Sequence, residues 1–344
     1  MGCAICTDVT RGSSLAIAAA LAAVLAAPVE AGPRLDRIRQ RGSLVCGVAP
    51  GIAGFSEVDK NGRYSGFEVD ICRALSAAIF GTADRVTFVQ ATSIQDFLRS
   101  PDVDIVSRRL TVSLTREAFG VMFGPIVFYD GQGFLVSKTL GAKRLRDLSG
   151  VPVCVDAGTP FEFTLNQYFR SSRIALKAFL LKSRAELGKA LDSGRCSAFT
   201  ADVSELGAIR SRMAKAVDFD ILSDYISKEP LAPLMRQDDV LFFNVLRWTV
   251  YAMITAEDMG ITAANVDQML ANDDPDRKRL LGVVPGNGKA LGLHERWAYN
   301  VIKMVGNYGE MFDRNVGARS AIKLERGLNN LWTNGGLIYA PPLR

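Results

Sequence analysis

Beyond residue 31 the apolar positions fall into short runs of strand length separated by stretches with helical spacing. Leu44 to Val48, Val86 to Val89 and Asp104-Ile105-Val106 read as buried strands, while Leu35 to Arg41 and the segment from Gly66 through Ile79 read as helices. A Gly/Pro-rich turn, Ala49 to Phe55, follows the first strand. The pattern repeats from Gly133 to Val136. A strand at Val151 to Val155 precedes a helix from about Phe161 to Phe169. A strand near Ala178 to Leu180, a helix from Arg184 to Leu191 and a strand at Ala198 to Thr200 follow. Strands alternating with helices predict an α/β fold with parallel, doubly wound sheets. Glu229-Pro230-Leu231-Ala232-Pro233-Leu234 reads as extended, because residues before proline avoid the helical region, and from Leu241 onward the chain reads as mostly helical. The expected organisation is a discontinuous first lobe (32–131 plus 228–344, with a helical tail from about 285) and a second lobe (132–227), joined by two crossings that act as a hinge.

Residues 1–31 break this pattern. Arg11 precedes a thirteen-residue apolar run, Leu15 to Ala27, and Pro28-Val29-Glu30-Ala31 supplies a small-x-small site. That arrangement predicts a secretory signal cleaved near Ala31, since the run is short for a bilayer span. Its loss would raise the net charge from +5 to +6, removing Arg11, Asp8 and Glu30. The remaining charge is spread without basic runs, so no nucleic-acid partner is expected. With 48% hydrophobic and 22% charged residues the composition is ordinary for a globular chain.

Of six cysteines, Cys3 and Cys6 would leave with the signal. Cys46, Cys72, Cys154 and Cys196 would be exported to an oxidising compartment, and four thiols allow three pairings. Keeping each bridge within one lobe favours 46–72 and 154–196. Zinc is a poor alternative, because the four lack paired spacing and His294 is the one histidine; no metal or cofactor is expected.

Catalytic constellations find little support. A serine triad would have to use His294. Gly286-Asn287-Gly288-Lys289 resembles a phosphate loop, but the spacing from Gly282 is one residue too long and Ala290 stands where a magnesium-binding hydroxyl belongs. The pairs Asp273-Asp274 and Asp238-Asp239 read as solvated turn acids.

A binding constellation fits better. Ligands in open α/β sheets sit beyond the carboxyl ends of strands. After Val106 comes Ser107 to Arg116, where the Thr111 hydroxyl and the Arg116 guanidinium could grip one carboxylate, arginine offering two parallel donors. After Val155 comes Asp156-Ala157-Gly158-Thr159, a turn whose free N–H groups suit an anion. After Thr200 comes Asp202, an acid placed for an ammonium group, with helix capping as its bland alternative.

These elements and their order resemble the polar amino-acid solute-binding proteins of ABC transporters, with the type II periplasmic binding fold. The resemblance rests on Gly54-Phe55, Asn61-Gly62, Gly66-Phe67-Glu68-Val69-Asp70, Leu110-Thr111 to Arg116, Gly158-Thr159 and Thr200-Ala201-Asp202. It is closest to the general L-amino-acid subfamily through Tyr129-Asp130-Gly131-Gln132-Gly133-Phe134, Ser227-Lys228-Glu229-Pro230-Leu231, Val305-Gly306-Asn307-Tyr308-Gly309-Glu310, Arg326-Gly327-Leu328-Asn329 and Trp332 to Leu337. It spans about residues 34–344, and the cysteine positions also look like that subfamily's. It implies that Arg116, helped by Thr111 and the turn at Gly158-Thr159, binds an α-carboxylate while Asp202 takes the α-ammonium. It further implies periplasmic capture by hinge closure, delivery to an ABC permease in the inner membrane, no enzymatic activity, and a monomer.

Four departures stand out: Pro160 replaces a usual second threonine, Ile52 stands at a position where relatives stack an aromatic ring, Arg109 replaces a small polar residue, and Phe97 to Val103 is about two residues short. Arg109 could select an acidic side chain, or pair with a protein acid. Two rival readings are a sensor that no longer transports and a dehydratase-type enzyme using Glu68 or Glu162 as its acid.

Overall fold

The computed structural model describes residues 32–91 and 93–343, together with Gly2. Apart from Gly2, the expected signal segment, with Cys3 and Cys6, lies outside the described residues.

Helix α1 (Pro33–Arg41) leads into strand β1 (Leu44–Val48), a small hairpin of β2 (Glu57–Val58) and β3 (Tyr64–Ser65), and helix α2 (Phe67–Phe80). Gly66 makes the start of α2 possible: its φ is 131°, and a Cβ there would sit 2.2 Å from the Phe55 carbonyl oxygen. Glu68 and Asp70 lie in the first turn, where the helix dipole favours negative charge, and Gly81 ends the helix in the left-handed region. Buried Val69, Cys72 and Leu75 pack α2 into the main core, and Cys72 is disulfide-bonded to Cys46 of β1, Cα atoms 6.3 Å apart. Strands β4 (Val86–Gln90), β5 (Ile105–Val106) and β6 (Val121–Phe123) follow.

The chain then crosses through β7 (Phe128–Asp130) to β8 (Gln132–Ser137). It continues through β9 (Pro152–Asp156), α3 (Pro160–Ser171), β10 (Lys177–Leu181), β11 (Ala198–Asp202), α4 (Val203–Ser211) and β12 (Phe219–Ile221). Phe134 and Val136 of β8 enter one apolar cluster while Leu135 enters another, so this sheet buries both faces. Cys154 bonds to Cys196 at a Cα separation of 5.6 Å. The return runs through β13 (Glu229–Leu231), β14 (Leu234–Arg236) and the long helix α5 (Val240–Asp258).

The sheets are ordered β4-β1-β5-β14-β6 and β10-β9-β11-β8-β12. Three neighbours in each are parallel (β4/β1/β5 and β10/β9/β11), as the alternation predicts, but each sheet is completed by antiparallel strands. The reason is the crossing: β8 runs against β11 and β12, and the returning β14 runs against β5 and β6. The crossings pair antiparallel with each other, Asp130 opposite Glu229 and Phe128 opposite Leu231.

Two local expectations are corrected. Asp239 is not a solvated turn acid: it is 4% exposed, accepts the Phe242 N–H at the start of α5, and accepts the Arg34 and Leu35 N–H groups at the start of α1. One carboxylate thus serves two helix N-termini, and Asp238 pairs with Arg34. The phosphate-like loop does bind an anion, but its own: Glu295 accepts N–H groups from Gly286, Gly288 and Lys289.

The tail also differs from the helical expectation. After α6 (Trp297–Val305) and α7 (Tyr308–Asn315), residues 316–343 contain only two short 3-10 turns. Gly317, Gly327, Gly335-Gly336 and Pro341-Pro342 break helical continuity there. This segment is a strap. Ile322 and Leu324 press against Gly207 of α4, Arg210 donates to the Ile322 carbonyl at 3.1 Å, and the Asn329 amide brackets the Tyr129 backbone at 2.6 and 3.0 Å.

Candidate functional site

The ends of β5, β7 and β11 converge where the two crossings meet the start of α4. From β5 emerges Ser107-Arg108-Arg109. Arg109 has φ 47°, a left-handed conformation that non-glycine residues seldom adopt. Its Nη1 donates to Ser204 Oγ of α4 at 2.8 Å, and its guanidinium carbon lies 5.6 Å from the centre of the Phe55 ring. The contact therefore joins the first sheet's loop to a helix of the second. Beneath it, Glu68, Arg108 and Arg109 line a narrow cavity with Phe55, Phe67 and Phe128.

Arg116 and Thr111 are neighbours in space as well as in sequence: Arg116 Nη1 donates to the Thr111 carbonyl at 2.6 Å. The Thr111 hydroxyl does not point to an open anion site. It donates to Glu229 Oε2 at 2.6 Å, and the other Glu229 oxygen accepts from Ser227 Oγ at 3.0 Å. A ligand carboxylate arriving at Thr111 would meet an oxygen whose proton is already engaged.

Asp202 occupies the N-cap position of α4 but makes no capping hydrogen bond, and its Oδ1 is buried without a partner. The bland alternative of a helix cap is thus absent at this position. Beside it, Asp130 ends β7 and is 5% exposed. Its Oδ1 accepts the N–H of Gly131 at 2.9 Å and of Ser204 at 3.2 Å, while Oδ2 is buried without a partner.

Burial raises the Asp202 carboxyl to about 7, and the nearby Asp130 adds to the rise while Arg109 opposes it. Burial also raises Asp130, against the donors Ser204 and Gly131. Glu68, buried in the first turn of α2, is raised to about 7 by desolvation, with Arg109 and Arg108 pulling the other way. Arg109 is the cation these three carboxyls share.

The remaining expected positions make local contacts of their own. Ile52 bridges to Ser56 and is partly buried against the main core. Gly158, with φ 71°, is exposed, and its N–H is taken by Glu162 Oε2 at 2.8 Å. The Thr159 hydroxyl donates to the Asp156 carbonyl at 2.7 Å. The turn's anion is Glu162, which also commits that acid to the turn.

Asp130, Ser204 and Glu229 were not singled out from sequence as site residues. Asp130 and Glu229 do fall in the two motifs that flank the crossings, and their opposition in the β7–β13 pair is what brings them to the site.

Residues 44–280 match the family described as bacterial extracellular solute-binding proteins, family 3. A putative amino-acid ABC transporter-binding protein, YhdW of Escherichia coli K12, is 43% identical over 336 residues, covering 96% of this chain and 98% of its own. The general L-amino acid-binding periplasmic protein AapJ of Rhizobium johnstonii is 42% identical over the same shares. A periplasmic binding protein from Brucella ovis, solved with glutathione bound, is 41% identical, covers 90% of this chain and 99% of its own, and superposes with a TM-score of 0.79.

Proposed function

The chain belongs to the bacterial extracellular solute-binding proteins of family 3, and from that premise we propose that it captures an L-amino acid in the cleft between its two sheets and delivers it to an ABC permease. The observation that carries this reading is Asp202. A buried carboxylate oxygen at a helix start, with no cap and no partner, is incomplete until a cation reaches it, and an α-ammonium supplies up to three donors. In this reading Arg116, on the segment that follows β5, offers the complementary charge for the α-carboxylate. A zwitterion gives each wall its counter-ion, so neither charge is left unpaired when the cleft closes.

In this reading the lobes are residues 32–131 plus 228–344 and residues 132–227, and closure turns about the β7–β13 pair. Ligand shifts the open–closed equilibrium by its differential affinity for the closed form. The Brucella ovis neighbour fits the same logic, since the γ-glutamyl end of glutathione carries an α-ammonium and an α-carboxylate. The protein acts as a monomer in the periplasm, after loss of residues 1–31.

Calorimetry with a panel of amino acids and glutathione tests the proposal. Binding that depends on both free α-groups supports it. Equal binding of an N-acetylated or α-amidated analogue sinks it. A signalling role in place of transport predicts the same binding without uptake when the protein is returned to cells lacking it.

A further inference from the structure

Arg109 departs from what a small polar residue could do at the same place. Its backbone holds a left-handed conformation, a state that persists where the surroundings over-determine it. Its side chain spans the cleft to Ser204 Oγ at 2.8 Å, and the Ser204 N–H is in turn bound to Asp130 Oδ1 at 3.2 Å. Phe55 backs the guanidinium at 5.6 Å. The result is a continuous link from the first-sheet loop through α4 to the crossing strand, made of protein groups.

The link leaves the unpartnered Asp202 Oδ1 and Asp130 Oδ2 unused. One cationic group can still be received there. Arg109's charge is nevertheless felt at both acids, so anything seated on Asp202 also lies within its field. A ligand bringing a second cation would meet a like charge held in place by Ser204, and such juxtaposition is costly.

We propose that Arg109 is a resident cation that sets ligand specificity, latching the cleft through Ser204 and excluding amino acids with a cationic side chain. The exclusion rests on the amino-acid reading above; the latch does not. The role differs from binding an acidic side chain, because the Arg109 guanidinium already donates to Ser204 and its charge acts on Glu68, Asp130 and Asp202.

The test compares wild type, Arg109→Ala and Ser204→Ala, with thermal melting to confirm folding. In Arg109→Ala, the lysine and arginine affinities should rise relative to glutamine by roughly tenfold or more, and the ligand-free radius of gyration in X-ray scattering should increase. Ser204→Ala should open the ligand-free protein yet still reject lysine, since the charge stays. An unchanged lysine-to-glutamine ratio in Arg109→Ala overturns the specificity role. If no variant binds any amino acid, the capture reading fails and scattering alone decides the latch: an unchanged radius of gyration in both variants overturns it.

Discussion

On the first-sheet wall of the cleft, the segment Ser107 to Arg116 carries three guanidiniums, and those of Arg109 and Arg116 each find an acceptor within the protein. On the second-sheet wall, Asp202 keeps a buried oxygen with no donor, and Asp130 at the crossing beside it keeps another. Neither side is fully answered, since Arg109 Nε is also buried without a partner, but Arg109 and Arg116 each make a hydrogen bond within the protein while Asp202 makes no capping bond. A buried polar atom without a partner is costly whether it donates or accepts, and a buried carboxylate oxygen is answered by a cation or a proton. In the proposed reading a ligand's ammonium answers the acidic side, while Arg109 governs which side chain is accepted.

The frames behind the two walls offer the strongest way to separate them. Replacing both Cys154 and Cys196 by serine opens a 42-residue loop behind the acidic wall, and the chain-entropy term predicts a loss of about 4 kcal/mol in denaturant unfolding. The corresponding Cys46 and Cys72 variant, with a separation of 26, is expected to lose slightly less, about 3.5 kcal/mol. Arg116→Ala should weaken amino-acid binding by ~2–4 kcal/mol in calorimetry, because a ligand carboxylate is stranded on closure. Wild-type affinity in that variant removes Arg116 from the site. Asp202→Asn keeps the shape but loses the charge, with an expected cost of about 2 kcal/mol to zwitterion binding.

The smallest effect is the pH dependence, and its sign follows from the raised carboxyls. Asp202, with its carboxyl near 7, must ionise before it can hold an ammonium. Affinity should therefore rise as the pH passes from 6 to 8, by roughly 1 kcal/mol, and Asp202→Asn should flatten the curve. Stability of the ligand-free protein moves oppositely. The fold favours neutral Glu68, so that contribution is full below pH 4.5 and is lost as the pH rises through about 7. Asp202 and Asp130 act in the same direction, so a melting temperature that falls between pH 5.5 and 8 in wild type, and less steeply in Glu68→Gln, would confirm the Glu68 share.

Much of this was legible in the chain. The strand and helix runs could be read from apolar spacing because a strand buried on both faces and an amphipathic helix have different periods. Asp202 and Arg116 could be put forward as candidates because strand ends in α/β sheets are where ligands meet the chain. What the spacing could not express was partnership between residues far apart in sequence. That Thr111 gives its proton to Glu229, that Glu162 fills the Gly158 turn and that Glu295 fills the glycine loop are contacts of folded geometry.

The amino-acid sequence by itself determined most element types up to residue 315 and the residues proposed to carry charge in the cleft, because local periodicity and side-chain chemistry are properties of neighbours along the chain. Tertiary structure alone decided which of those charges are already answered. Asp130 faces α4 only because β7 pairs with β13, and Arg109 reaches Ser204 only because two sheets meet at that crossing. Pairing across 95 residues depends on how the chain returns on itself, and no local pattern encodes that.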